Sequence, residues 1–183
     1  MIIEFFRFEL REQLRSPLLW LLAGLFALLG FAAVASDAVQ LGGGIGNVHR
    51  NAPIVTAQFL SLFTLFGMLV VPVFISGALL RDFELGTAEL IFASPVRKRD
   101  YLAGRLAAAY LASVAVFVVI AVGLFVAQFM PWIEPQRLGP ASLAPTLWSF
   151  AVLVLPNLLF LSALLFLLAT LTRSMLYTYI GVI

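Results

Sequence analysis

The sequence contains no cysteine and a single histidine, His49, among its 183 residues. The lack of cysteine excludes disulfides and cysteine-based zinc or redox sites. One histidine is too few for metal sites that use two or three of them, and it disfavours a Ser-His catalytic pair inside a membrane. We therefore predict no catalytic residues, no metal site and no cofactor.

Charge is also scarce in this chain. Charged residues make up 11% of it, hydrophobic residues make up 63%, and the mean hydropathy is +1.09. Soluble domains carry about 25% charged residues and are about half apolar, so lipid must cover much of this protein's surface. The basic residues do not form a soluble face with aromatic platforms, so we expect no nucleic-acid partner.

Four stretches without charge are long enough to cross a bilayer, which takes about 20 helical residues. They cover residues 17–36, 55–80, 106–130 and 146–171, with Pro72 and Pro156 as expected kink positions. A fifth apolar run begins at Met175 and stops at Ile183, so we expect an N-terminal fragment of a longer protein. The predicted fold class is all-α: a polytopic bundle of membrane helices with four complete spans and the start of a fifth.

Residues 1–15 predict an amphipathic helix that lies in the membrane interface, ahead of a membrane domain over residues 16–183. Its apolar residues fall on one stripe of the helix, and three arginines repeat every fourth residue on another: Arg7, Arg11 and Arg15. Anionic headgroups attract such arginines by about 1 kcal/mol each. The alternative is the start of a cleaved signal peptide, but the interspersed glutamates and the lack of a small-residue cleavage site argue against it.

The basic residues also predict the orientation of the chain. If the N-terminus is cytoplasmic, nine of the eleven basic residues are inside, and only Arg50 and Arg137 are outside. The bias therefore indicates a cytoplasmic N-terminus, and we expect the protein to lie in a bacterial inner (plasma) membrane. We expect four of the inside residues to hold the entry to the third span at the headgroups: Arg97, Lys98, Arg99 and Arg105.

A charged, helix-breaking segment separates the second and third spans. Gly86 is the residue type that ends a helix in the left-handed conformation, and Thr87 can cap a new helix with Glu89 in its first turn. The short helix that follows carries Leu90 and Phe92 on an apolar face. This face either rests on the membrane or docks into the groove of a partner protein, because such a short helix gains little stability alone.

The segment resembles the cytoplasmic segment after the second span of ABC transporter permeases of the type-2 exporter class. The matching positions are Arg81, Glu84, Gly86, Thr87, Glu89, Leu90, Ser94, Pro95, Val96, Lys98, Tyr101, Gly104 and Arg105. The resemblance implies that Glu84–Phe92 is a coupling helix that contacts a separate ATP-binding cassette subunit. Glu84 and Glu89 would make those contacts, with Leu90 and Phe92 buried. It also implies that two permease halves, as a homo- or heterodimer, export a substrate without enzyme activity of their own.

A weaker resemblance concerns the first outer loop, where Gly42, Gly43 and Gly44 precede residues 47–53 as in permeases fused to a zinc aminopeptidase domain. Such a domain would lie beyond Ile183. Two other functions remain open: an ion-coupled secondary transporter, or a scaffold or assembly subunit of a membrane complex. The absence of ionisable residues inside the four predicted spans disfavours ion coupling. An intramembrane enzyme would need His and Asp or Glu in further spans.

Overall fold

The computed structural model describes residues 1–36, 48–86, 93 and 96–180, apart from the side chains of Phe83, Glu84, Met175, Leu176 and Ile180. All regular structure in these residues is helical. The α-helices are α1 (Ile2–Arg15), α2 (Pro17–Ala35), α3 (Pro53–Glu84), α4 (Lys98–Ala127), α5 (Ala144–Ser149), α6 (Leu155–Thr172) and α7 (Met175–Ile180). A short 3-10 turn at Pro135–Arg137 precedes α5, and a π-helical segment at Phe150–Val154 joins α5 to α6.

Four helical stretches in the described residues are long and apolar enough to cross a membrane. They are Pro17–Ala35, Pro53–Asp82, Lys98–Ala127 and Ala144–Thr172. This agrees with the all-helical membrane fold that the composition predicts. The third stretch begins at Lys98, ahead of the charge-free residues, because Asp100 in the first turn of α4 favours a helix start.

The two prolines inside predicted spans have different effects. Pro72 lies within α3, which continues through it. Pro156 is the second residue of α6, which begins directly after the π-helical segment. Proline lacks an N–H, and its ring clashes with the carbonyl four residues earlier, so the wider π-helical turn accommodates it.

The chain divides into two compact units, and the first comprises Met1–Leu19, Phe66–Val114 and Leu158–Ile183. Its apolar core includes Phe74, Ile75 and Leu79 of α3, with Ala108 and Ala112 of α4. The buried residues of α1 are polar, namely Glu9 and Gln13. Its apolar residues Ile3 and Leu14 are exposed, and therefore available to lipid.

The second unit comprises Trp20–Leu65 and Ala115–Asn157. Its helices α2 and α4 approach closely at two glycines. A Cβ atom on Gly30 would lie 2.7 Å from the Ile120 carbonyl oxygen, and one on Gly123 would lie 2.6 Å from the Ala27 carbonyl oxygen. Next to this contact, the Phe26 ring packs against the rings of Phe63 and Phe117.

Hydrogen bonds join two loops of the second unit. The side chain of Asn51 donates to the Gly139 carbonyl oxygen (2.9 Å) and accepts from the Gly139 N–H (2.7 Å). It also donates to Gln128 Oε1 at 3.3 Å. Beside it, Arg50 Nη1 donates to the Val34 carbonyl oxygen at 3.0 Å. These bonds fix the start of α3 against the segment that precedes α5.

Candidate functional site

A buried group of charged and polar side chains lies where α1 packs against the end of α3 and the start of α4, all within the first unit. We call this group the ion-pair cluster, and it consists of Glu9, Arg81, Asp82, Tyr101 and Arg105. Two acidic and two basic side chains balance each other in it. The chain between α3 and α4 includes the predicted coupling helix, so the cluster flanks that segment on both sides.

Arg105 is the centre of the cluster and is only 3% exposed. Its guanidinium donates to Asp82 Oδ2 and to the Ala78 carbonyl oxygen of α3. It also lies 3.4 Å from Glu9 Oε2 of α1 and 4.7 Å from the centre of the Tyr101 ring. A single side chain of α4 therefore contacts both α3 and α1.

Glu9 connects α1 to the same groups. Its carboxylate is 1% exposed and lies 3.0 Å from Arg81 Nη2, while Gln13 Nε2 donates to its other oxygen at 3.3 Å. Burial raises the pKa of the Glu9 carboxyl above its usual range, and the charges of Arg81 and Arg105 oppose this shift. Pairing with two guanidiniums is what allows a carboxylate to be buried there.

Tyr101 and Gly104 complete the contact between α1 and α4. The Tyr101 hydroxyl donates to Asp82 Oδ2 at 2.7 Å, and its ring meets the Phe5 ring edge-on at 5.5 Å between centres. A Cβ atom on Gly104 would lie 2.9 Å from the Ile2 carbonyl oxygen and 2.9 Å from Phe5 Cβ. Glycine at this position therefore lets the backbone of α1 lie directly on α4.

The structure places the residues of the predicted coupling helix as follows. Helix α3 ends at Glu84, and Gly86 has a φ of +68°, which confirms its expected left-handed conformation. A Cβ atom added at Gly86 would contact nothing within 4 Å, so only the backbone conformation requires glycine. Four further predicted site residues lie outside the described residues: Thr87, Glu89, Leu90 and Phe92.

The predicted membrane anchors divide into two groups. Six of them are exposed: Arg7, Arg11, Arg15, Arg97, Lys98 and Arg99. Arg105, which we expected at the lipid headgroups, is instead buried and contacts protein groups. The reason is that α4 begins at Lys98, so that Arg105 lies two turns inside the helix and beside Asp82.

A family comparison extends over nearly the whole chain: the model of the ABC-2 family transporter protein matches residues 4–182. The chain belongs to the ABC-2 transporter family. Neither a curated protein nor a solved structure matches it. Membership and the four long apolar helices identify this ABC-2 protein as a multi-pass membrane protein.

Family membership also bears on its chemistry. ABC-2 permeases are membrane subunits of ABC transporters without enzyme activity of their own, and they typically work with an ATP-binding subunit. Within the described part of this ABC-2 protein, no group of three or more His, Asp or Glu side chains is placed to hold a metal ion. The likeness to permeases fused to an aminopeptidase stays a prediction.

Proposed function

We propose that this chain is the permease subunit of an ATP-driven exporter, and that Glu84–Phe92 is its coupling helix. In this proposal, closure of the ATP-binding subunit displaces the coupling helix, and the attached membrane helices follow. Family membership supports the permease role. The observation that carries the coupling role is the ion-pair cluster, because it joins the helices on both sides of the proposed coupling helix.

The contacts of the cluster suggest how a displacement is passed on. Asp82 lies two residues before the end of α3, and Tyr101 and Arg105 lie in the first turns of α4. Both α4 side chains bond to Asp82, and Glu9 adds α1 to the group through Arg81 and Arg105. A force on the coupling helix would therefore move the C-terminal end of α3, the start of α4 and the whole of α1 together.

We further propose that the coupling helix faces the cytoplasm, in a bacterial inner membrane. The excess of basic residues on the proposed inner side supports this orientation. Because the chain has no cysteine, a single introduced cysteine can be labelled uniquely. We expect Thr87→Cys to react with a membrane-impermeant maleimide only in inverted vesicles, and Gln136→Cys to react only in right-side-out spheroplasts. The reverse pattern would contradict the orientation.

A second permease half, identical or homologous, would complete the transporter. The exposed apolar side chains of α2 include Leu21 and Leu28, which are free to contact lipid or such a partner. Mass measurement of the complex with its ATPase should give two permease halves and two ATP-binding subunits. A complex with one permease half and full transport activity would contradict this arrangement.

The coupling role is tested by charge reversal in the coupling helix. We expect Glu89→Arg to abolish transport and the ATPase stimulation by the permease, while membrane insertion stays normal. The assay is ATP-dependent substrate uptake into inverted vesicles that contain the permease and a candidate ATP-binding cassette subunit. Gly86→Val should act in the same direction, because valine is strained at a φ of +68°.

The matched control is Glu134→Arg, which reverses a charge in an exposed loop of the second unit. Glu134 pairs only with the neighbouring Arg137, at 3.0 Å, in the described residues. This variant should transport normally. Normal transport by both Glu89→Arg and Gly86→Val would remove the coupling role. Transport that needs no ATPase and collapses with a proton ionophore would favour the ion-coupled transporter, and a loss of complex assembly alone would favour the scaffold.

A further inference from the structure

A cavity of about 480 Å³ lies in the first unit at the turn between α1 and α2. Ser16 forms this turn with an extended backbone, and the third wall is the side of α3. The volume falls in the range of small-ligand sites, about 300–1,000 Å³. The charged lining of the cavity, which we call the charged part, comes from α1 and Arg81, and its apolar lining, the apolar part, comes from α2 and α3. The residues used below are Glu12, Gln13, Arg15, Leu18, Phe74 and Arg81.

Among the described residues, the charged part of the cavity has one cation without an ion pair and one weakly paired anion. Arg15 is exposed and makes no ion pair with a described residue. Glu12 is 48% exposed and lies 3.9 Å from Arg81, whose closer partner is Glu9 at 3.0 Å. The cavity therefore offers the Arg15 guanidinium to an anion and the Glu12 carboxylate to a cation.

Gln13 adds an independent indication of a ligand. Its side chain is 7% exposed, and its Nε2 donates to Glu9 Oε1 and to the Phe74 carbonyl oxygen, both at 3.3 Å. Both partners are hydrogen-bond acceptors. Exchanging the amide nitrogen and oxygen of Gln13 would therefore place its oxygen against two other oxygens. Its Oε1 therefore has no hydrogen-bond partner in the described residues. Because Gln13 is one of the residues that line the cavity, a donor bound there, directly or through water, would satisfy this oxygen.

The apolar part of the cavity continues towards the predicted lipid surface. Leu18 lines the cavity and is also 44% exposed, one turn before Leu21 of α2, which is 64% exposed. A ligand that fills both parts must be amphipathic, with an anionic group, a hydrogen-bonding cation and an apolar chain.

We propose that this cavity binds one phospholipid with a primary-amine headgroup. Its phosphate would bind Arg15, its ammonium group would lie between Glu12 and Gln13, and an acyl chain would run along Leu18. This site depends on the protein being embedded in a membrane and not on ATP coupling. Failure of the coupling experiment would therefore leave it untouched.

The test uses native mass spectrometry of the detergent-solubilised protein titrated with phosphatidylethanolamine. We expect one lipid to bind in preference to all others. Arg15→Gln should weaken its binding by at least about tenfold, the usual effect of losing a charge-assisted hydrogen bond to phosphate. The control is Arg7→Gln, which removes the same charge from the same exposed stripe of α1 but away from the cavity, and should change binding by less than about twofold.

Two further measurements separate the parts of the proposal. Phosphatidylcholine, whose headgroup has no N–H donor, should bind about tenfold more weakly, and Glu12→Gln should abolish this preference. Thermal unfolding confirms that each variant is folded. Equal effects of Arg15→Gln and Arg7→Gln would overturn the site, and so would equal binding of the two lipids. Displacement of the lipid by inorganic phosphate at a similar concentration would show that the site takes a free anion.

Discussion

Replacement of Arg105 by methionine tests whether the ion-pair cluster stabilises the fold. Methionine keeps most of the side-chain volume but removes the charge that faces Asp82 and Glu9. Glu9 retains its pair with Arg81, and Asp82 retains the hydrogen bond from the Tyr101 hydroxyl. Breaking a buried pair from one side costs about 3–5 kcal/mol, so we expect the free energy of unfolding to fall by that amount.

The Asp82→Asn variant completes a double-mutant cycle. This variant alone should lower the free energy of unfolding by about 1–3 kcal/mol, because Arg105 keeps Glu9 and the Ala78 carbonyl oxygen as partners. The double variant leaves no uncompensated carboxylate at this position. It should therefore be more stable than the sum of the single changes predicts, by at least about 1 kcal/mol.

Equilibrium unfolding in mixed micelles, with increasing dodecyl sulfate and tryptophan fluorescence as the signal, measures these differences. The control is Arg99→Met. The Arg99 side chain is 76% exposed and its Nε lies 3.9 Å from Asp100, so this change should alter the free energy of unfolding by less than about 0.5 kcal/mol. If Arg105→Met costs no more than this control, or if the two single effects simply add, the cluster is not the structural link that we describe.

Two further predictions concern the second unit. Gly123→Ala should destabilise the protein by about 1–3 kcal/mol, because its Cβ would lie 2.6 Å from the Ala27 carbonyl oxygen; Gly24→Ala, with nothing within 4 Å, should be neutral or stabilising. Unfolding measurements that rank the two variants the other way would contradict the close helix contact. Asn51→Ala leaves the Gly139 N–H and carbonyl unpaired and should cost about 1–3 kcal/mol, with faster hydrogen exchange at Gly139. An unchanged exchange rate there would refute the bond.

The membrane class and the long helices could be predicted because hydropathy over about 20 residues depends on neither packing nor partners. The left-handed Gly86 could be predicted for a similar reason, since only the local backbone determines it. The start of α4 was harder to predict. Four of the residues at positions 98–105 are charged, so hydropathy alone places them outside the apolar helix, although Asp100 suits its first turn.

The ion-pair cluster could not be predicted because its partners are far apart in sequence. Glu9 and Arg81 are 72 positions apart, and Glu9 looks like one more exposed charge on an amphipathic helix. The apolar residues Ile3 and Leu14 of α1 are exposed, whereas two of its polar residues, Glu9 and Gln13, are buried against the protein. The one usable signal was Gly104, whose small size at a helix surface indicates close approach of another backbone.

The two sets of charges on α1 differ in their response to ionic strength. Arg7, Arg11 and Arg15 are exposed, so dissolved ions reach them and screen their attraction to an anionic surface, with a Debye length of about 10 Å at 0.1 M salt. Glu9 is enclosed with its partners, where such screening is weak. Added salt would therefore weaken the attraction of these three arginines to an anionic surface, while the contacts of Glu9 with the rest of the protein persist.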